Sequence, residues 1–225
     1  MDANEVFGMV IGPAQDFWRG EDGVSLTEAL LVLPIVLLTI TAMVELGVAM
    51  FQWNQSVKAV QVGARLAAVS SPLVTDVAYA RLTDDYGTIP GGDPTPATIV
   101  TEVCGAGASP CDSAALDRLL TGSNGDCTTT DPAEIVGMCD VAPFIRRENV
   151  RITYTRSGLG YVGRPFGPVT NITVELRDLT FDFFIFDAVI RAVTPGSNPP
   201  AIFTIPAHPV SITSEDVNDC IGPCP

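Results

Sequence analysis

The most prominent pattern along the chain is an uncharged apolar run near its N-terminus. It extends from Ala29 to Val44, and the apolar stretch from Leu46 to Phe51 continues it beyond Glu45. About two dozen residues, at 1.5 Å per residue, suffice to cross a hydrocarbon core of roughly 30 Å. The run is too long for the apolar core of a secretory signal, and no small-residue cleavage site follows it closely. We therefore predict a retained transmembrane helix; the alternative is a buried core helix of a soluble protein.

The helix is predicted to extend past this run, over residues 24–71, until Pro72 ends or kinks it. Its last third is amphipathic, with polar side chains opposite a face of small residues. The small residues are Ala59, Gly63, Ala64, Ala67 and Ala68. A small face allows another helix to approach closely, as in membrane helix packing, although the helix propensity of alanine alone also explains it.

The rest of the chain, 72–225, has the mixed pattern of a small domain. Alternating apolar and polar residues predict half-buried strands at 150–155 and 169–176. Later strand candidates are 202–205 and 210–213, and short helices are predicted at 97–103 and at 113–120, the latter capped by Asp112. The predicted fold class is α+β: a long N-terminal transmembrane helix leads into a small domain with an antiparallel sheet and short helices, cross-linked by disulfides.

Charge narrows the partners that the chain can have. Twelve basic residues against 26 acidic ones give a formal net charge of -14, and Lys58 is the only lysine. Proteins that bind nucleic acid need clustered Lys and Arg, so no nucleic-acid partner is expected. The content of Leu, Ile and Val also excludes a disordered acidic chain.

All six cysteines follow the apolar run, which indicates disulfides in an oxidising compartment. They are Cys104, Cys111, Cys127, Cys139, Cys220 and Cys224. Zinc is the competing interpretation, but no C-x-x-C pair is present and the spacings fit no zinc finger or ribbon. Proximity favours the pairs 104–111, 127–139 and 220–224, while the sequence leaves the connectivity open.

Two carboxylates border or interrupt the apolar run. A charge at the centre of a bilayer costs about 2.5–3.5 kcal/mol, so such residues are functional candidates by default. Glu28 lies at the junction of the polar leader and the apolar helix, where it either seeks a positive partner or stays hydrated at the interface. Glu45 is expected to lie near the far interface, and there simple hydration is the favoured explanation.

Candidate catalytic, metal and cofactor sites are missing from the sequence pattern. His208 is the only histidine, and we expect it to be structural. Asp84, Asp85 and Asp93 share a Gly/Pro-rich loop and have the chemistry for calcium, but they do not fit the spacing of an EF-hand, so a solvated loop is favoured. We expect no enzymatic activity, no cofactor and no bound metal.

A family resemblance rests on short motifs in a fixed order. The segment Gly23-Val24-Ser25-Leu26-Thr27-Glu28 matches the glycine, four residues, glutamate pattern that prepilin peptidases cut in Flp-type pilins and their pseudopilins. The sequence EALLVLP follows, with VELG and VGAR further along. Together, over about residues 20–72, they resemble the TadE family of the Tad (tight adherence) pilus system.

The resemblance implies a minor pseudopilin of the bacterial inner membrane. Its leader, 1–23, would lie in the cytoplasm and be removed by cleavage between Gly23 and Val24, and its domain, 72–225, would lie in the periplasm. Glu28 would become the fifth mature residue, which pilin-like proteins need for processing or assembly. Its implied partners are membrane lipid, the prepilin peptidase, and other pilins or pseudopilins with their assembly machinery.

Physical arguments add to what the resemblance implies. A free Val24 amine on one subunit and Glu28 on its neighbour would neutralise each other in a low dielectric. Pro34 would bend the helix, because its ring clashes with the carbonyl four residues back. Two alternative functions stay open: a signal-anchored periplasmic binding or adhesion module without a pilus role, and a membrane-anchored enzyme. The enzyme would need an acid/base partner beside His208.

Overall fold

One long helix, α1 (Asp22–Val69), leads into the rest of the structure. The structure is a computed structural model, and it describes residues 22–87, 89–128, 131, 133–165, 167–182, 185, 188, 202–204 and 208–214. The helix starts and ends two residues before the predicted bounds of 24–71, so the predicted long helix is confirmed. It stops just ahead of Pro72, which cannot donate a helical backbone hydrogen bond and disfavours helix in the residue before it.

Short helices connect α1 to the strands. They are α2 (Asp76–Arg81), α3 (Ser113–Thr121) and α4 (Met138–Val141), with 3-10 turns at Asp84–Tyr86 and Arg147–Asn149. Asp112 caps α3 as predicted, because its carboxylate accepts a hydrogen bond of 2.9 Å from the backbone N–H of Ala115.

Two antiparallel sheets are present among the described residues. The strands are β1 (Val100–Gly105), β2 (Val150–Arg156), β3 (Asn171–Leu176), β4 (Thr180–Asp182), β5 (Ile202–Thr204) and β6 (Val210–Thr213). The larger sheet has the order β1-β2-β3-β6, and β4 pairs with β5. Ile152 lies opposite Val174, and Ile172 lies opposite Ile212, so the inward side chains of adjacent strands meet. The predicted α+β class is confirmed.

One predicted element is wrong. The segment 97–103, predicted as a short helix, contains instead the start of β1, an edge strand antiparallel to β2. Val100, Thr101 and Val103 are β-branched, which lowers their helix propensity and suits them to a pleated sheet. Pairing with β2 then decides the conformation, because strand preference depends on neighbouring strands that lie far away in sequence.

The small face of α1 packs on the domain. Its buried positions recur at spacings of three and four residues, and they are Ser56, Ala59, Val60, Gly63, Ala64, Ala67 and Ala68. A Cβ added at Gly63 would lie 2.6 Å from the sulfur of Met138, which α4 presses against the helix. The predicted close approach is therefore real, but its partner is the sheet and α4 of the same chain.

Two buried polar side chains of β2 bind the segments that precede and follow α2 and so hold them against the sheet. The Tyr154 hydroxyl accepts a hydrogen bond of 3.0 Å from the backbone N–H of Leu73, just after α1. Arg156 is 0% exposed, and its guanidinium donates to Asp85 at 2.6 Å. The same guanidinium donates to the carbonyls of Pro96 and Thr98, both at 3.2 Å. The loop that precedes β1 is thus held from inside the domain.

Two predicted disulfides are confirmed, Cys104–Cys111 and Cys127–Cys139. The first joins the end of β1 to the approach of α3, and the second joins the loop after α3 to α4. Since these four sulfurs are bonded in pairs, they are not ligands of a zinc ion. The third predicted pair, 220–224, lies outside the described residues.

Candidate functional site

The apolar segment of α1 is exposed along its length. In the most apolar part of this helix no residue is buried. A core helix of a soluble protein would instead bury its apolar side chains. The exposed residues include Leu30, Leu31, Leu33, Ile35, Leu37 and Leu38. This helix is therefore compatible with a membrane anchor, and the alternative of a core helix does not fit this segment.

The predicted processing bond lies in the first turn of α1. Gly23 and Val24 are its second and third residues, and Glu28 is exposed in the second turn. The first backbone N–H groups of a helix lack acceptors within the helix, so this turn is the least firmly held. Cleavage itself stays a prediction.

Pro34 lies inside α1, and the helix continues through it. Proline has no N–H, so the carbonyl of Leu30 loses its usual partner within the helix. The bend expected at this position stays a prediction.

Glu45 has a specific partner that the sequence did not indicate. One of its carboxylate oxygens accepts a hydrogen bond of 2.5 Å from the backbone N–H of Ile185. Glu45 is half-buried, as are Ala49 and Gln52, which lie on the same side of α1. The half-buried stripe formed by these three residues is where the domain reaches down along the helix. Because Glu45 and Ile185 are far apart in the chain, no local pattern predicts their contact.

His208 stacks on Trp53. Their ring centroids are 5.4 Å apart and their planes are inclined by 18°. Trp53 follows the apolar segment on α1, and His208 precedes β6. The stacking agrees with the structural role expected for His208.

Two clefts open on the surface of the described part of the domain. The first has a volume of about 640 Å³ and lies between Gln52 of α1 and the turn at 178–181. The second, of about 560 Å³, borders the disulfide Cys127–Cys139. Arg146 lines both clefts, and its neighbour Glu148 does too, so both have polar, charged walls.

One carboxylate of the acidic loop, that of Asp85, has a partner within the protein, whereas Asp84 and Asp93 are exposed. Asp85 binds Arg156, whose guanidinium also lies over the ring of Tyr86 at 5.3 Å. Burial is the main cause that raises the pKa of the Tyr86 hydroxyl, and the charge of Arg156 opposes it. In the part of the chain that the structure describes, no three His, Cys, Asp or Glu side chains are grouped to hold a metal ion.

Sequence reasoning identified the small face and the disulfide pairs, but it missed Arg156. The signal was present, because Arg156 continues the inward-facing positions of β2 after Val150, Ile152 and Tyr154. A charged residue at an inward position predicts a buried partner.

Comparison with known proteins gives one match. No curated protein and no solved structure matches this chain. The family comparison covers the predicted processing bond, Glu28, the exposed apolar segment and the start of the small face. It thereby confirms the resemblance inferred from the motifs: residues 23–65 match the model of the TadE-like protein family.

Proposed function

We propose that this protein is a minor pseudopilin that takes part in assembly of a Tad/Flp-type pilus. The observation that carries this proposal is the match of residues 23–65 to the TadE-like family. The matched segment is also the part of α1 whose apolar side chains are largely exposed. A helix of this kind can lie in a bilayer before assembly and against neighbouring helices afterwards.

The domain is proposed to lie in the periplasm. Its support is the disulfides Cys104–Cys111 and Cys127–Cys139, because such bonds persist in oxidising compartments. Placing the leader in the cytoplasm then follows, since a single helix puts its two ends on opposite sides of the inner membrane.

Glu28 is proposed as the assembly residue. After removal of the leader by a prepilin peptidase, the new amine of Val24 would carry a positive charge. A carboxylate among apolar helices is costly unless it is paired, so Glu28 of one subunit would attract the amine of its neighbour. The pair would fix the axial position of one helix against the next.

The proposed role is assembly and recognition, without catalysis. The enzyme alternative needs an acid or base beside His208, whereas the stacking of His208 on Trp53 supports a structural role. The polar clefts near Gln52 and Arg146 are surfaces where other pilus components would bind.

The first experiment is the intact mass and N-terminal sequence of the protein from its native membrane. A chain that begins at Val24 would support processing by a prepilin peptidase. A chain that begins at Met1 would contradict processing and favour the anchored binding or adhesion module.

The second experiment separates assembly from insertion. Glu28→Ala should reduce pilus number strongly while membrane insertion is retained, because removing a charge eases insertion by about 2.5–3.5 kcal/mol or less. Pili are counted by electron microscopy, and insertion is measured by flotation with vesicles. Asp84→Ala, which removes an exposed carboxylate from the domain, is the control and should leave both unchanged. Normal pilus numbers in the Glu28 variant would rule out this role.

A further inference from the structure

The globular domain contacts α1 at Glu45, next to the apolar segment. The hydrogen bond between Glu45 and the backbone N–H of Ile185 joins residues 140 positions apart. Ile185 follows β4, so part of the domain lies beside the helix at this level. Ile185 is 41% exposed, so its apolar surface is accessible to lipid.

The height of Glu45 can be compared with the thickness of a bilayer. In a helix, Leu26 to Val44 covers about 28 Å, close to the hydrocarbon core of about 30 Å. Glu45 then lies at the outer boundary of the hydrocarbon. Exposed apolar side chains continue to Phe51, about 10 Å further. That distance is somewhat longer than the headgroup layer, which is roughly 5–8 Å thick on each side of the bilayer, so this stretch crosses the layer.

Between Glu45 and Gln52 the two sides of α1 differ. The half-buried stripe of Glu45, Ala49 and Gln52 faces the domain. The remaining large side chains on this stretch are apolar and exposed, and they are Leu46, Val48, Met50 and Phe51. Exposed apolar side chains are stable against lipid and unfavourable in water. Lipid on one side and the domain on the other therefore meet the helix at the same height.

An aromatic pair lies directly beyond this stretch. Trp53 stacks on His208 and keeps part of its surface exposed. Tryptophan is enriched at membrane–water interfaces, because its ring is apolar and its N–H is polar. Trp53 follows Glu45 by about 12 Å along the helix axis, which places its backbone just outside the headgroup layer.

We propose that Ile185 lies in the outer headgroup layer of the bilayer, held against α1 by the hydrogen bond to Glu45. The lipid surface is then a binding partner of the domain as well as of the helix. Glu45 connects helix and domain at the hydrocarbon boundary. The proposal rests on the proposed function in one respect, namely that α1 spans a membrane.

Tryptophan fluorescence in vesicles tests this position. The full chain is reconstituted in vesicles of phosphatidylethanolamine and phosphatidylglycerol that carry a nitroxide on the headgroup. One variant combines Ile185→Trp with Trp18→Phe and Trp53→Phe, so that position 185 holds the only tryptophan. The matched control carries Ile99→Trp in the same background, because Ile99 is exposed just before β1, the edge strand opposite β6 in the larger sheet.

We expect the headgroup nitroxide to quench the emission of the Ile185→Trp variant at least about twofold more than that of the Ile99→Trp variant, because only position 185 lies in the headgroup layer. Equal, weak quenching at both positions in vesicles that do carry the protein would overturn the proposal while leaving membrane anchoring intact. Protein that fails to float with the vesicles would instead remove the anchoring on which both proposals depend.

Variants of Glu45 test the connection itself. Glu45→Gln keeps an oxygen that can accept the Ile185 N–H, whereas Glu45→Leu has none. In the Ile185→Trp background, Glu45→Leu should lose most of the headgroup quenching and Glu45→Gln should retain it. Equal quenching in both variants would show that Glu45 does not hold the segment there.

Discussion

Arg156 shows how one buried charge can organise a loop. Its guanidinium is fully enclosed. It donates hydrogen bonds to Asp85 and to two backbone carbonyls of the loop before β1. A buried cation without an anionic partner is strongly unfavourable. The contact therefore fixes where that loop runs across the sheet, although the loop itself is rich in glycine and proline.

Removing the anionic partner should destabilise the domain. Asp85→Asn leaves the Arg156 charge without its carboxylate, and we expect a loss of about 1–3 kcal/mol in the free energy of unfolding. Asp84→Asn removes the neighbouring exposed carboxylate, and it should cost less than about 0.5 kcal/mol. Urea denaturation measures both, and equal effects would show that the Arg156 pair contributes nothing of its own.

Tyr154 should make stability sensitive to alkaline pH. Burial is the main cause that raises its pKa above the ordinary value near 10, and the hydrogen bond from Leu73 opposes that rise. Because the folded state favours the neutral phenol, Tyr154 contributes fully to stability below the pKa that its hydroxyl has in the unfolded chain. That contribution is lost as the pH rises towards the pKa of the hydroxyl in the folded protein.

Tyr154→Phe tests this linkage. The variant should lose about 1–3 kcal/mol at neutral pH, because the Leu73 N–H loses its acceptor. Its stability should then decline less steeply above about pH 10 than that of the unaltered protein. Tyr79 retains part of the dependence, since burial raises its pKa too. If denaturation experiments showed the stability of Tyr154→Phe falling with alkaline pH as steeply as that of the unaltered protein, the assignment to Tyr154 would be contradicted.

At the scale of elements, α1 changes character along its length. Its first part exposes apolar side chains, and its last part buries small ones against the sheet and α4. Gly47 and Gly63 represent the two parts: a Cβ at Gly47 would meet nothing within 4 Å, whereas one at Gly63 would collide with Met138.

These two glycines give a matched pair of variants. Both Gly47→Leu and Gly63→Leu gain helix propensity, by up to about 1 kcal/mol. Only Gly63→Leu overpacks the contact with Met138, at a cost of about 1–3 kcal/mol. Thermal unfolding in detergent should show a lower Tm for Gly63→Leu alone. Adding Met138→Ala should restore part of the loss, and its failure to do so would locate the strain elsewhere.

Sequence patterns correctly predicted the features that depend on residues close together in the chain. Alternation placed Ile152 and Tyr154 inward on β2, and sequence proximity paired Cys104 with Cys111. Contacts between distant segments left no such signal. β1 becomes a strand because β2 pairs with it, and Glu45 meets Ile185 only after the domain has folded. The candidate site was therefore predictable as a motif, while its connection to the domain was not.

At the scale of the whole molecule, helix and domain share one hydrophobic core. Ala59, Val60, Ala64 and Ala67 belong to the same cluster as Ile152 and Ile172. The boundary predicted at 71/72 thus separates residues that pack together. The C-terminal end of α1 therefore belongs both to the long helix and to the domain.

Truncation tests this shared core. A chain that begins at Gln52 retains the small face and should unfold cooperatively with its disulfides intact. A chain that begins at Pro72 loses that face and leaves the sheet with exposed apolar area, so we expect no cooperative transition. Circular dichroism during heating distinguishes them, and equal melting temperatures would show that the helix is dispensable for folding.

The continuity of α1 also has a mechanical consequence. A helix of 48 residues is a rod of about 72 Å. Its far end is packed into the domain, without a flexible linker between them. A tilt of about 10° in the bilayer would swing the far end of such a rod sideways by about 12 Å. If α1 spans a bilayer as proposed, its tilt sets the direction in which the domain points, and a pull on the domain acts directly on the helix.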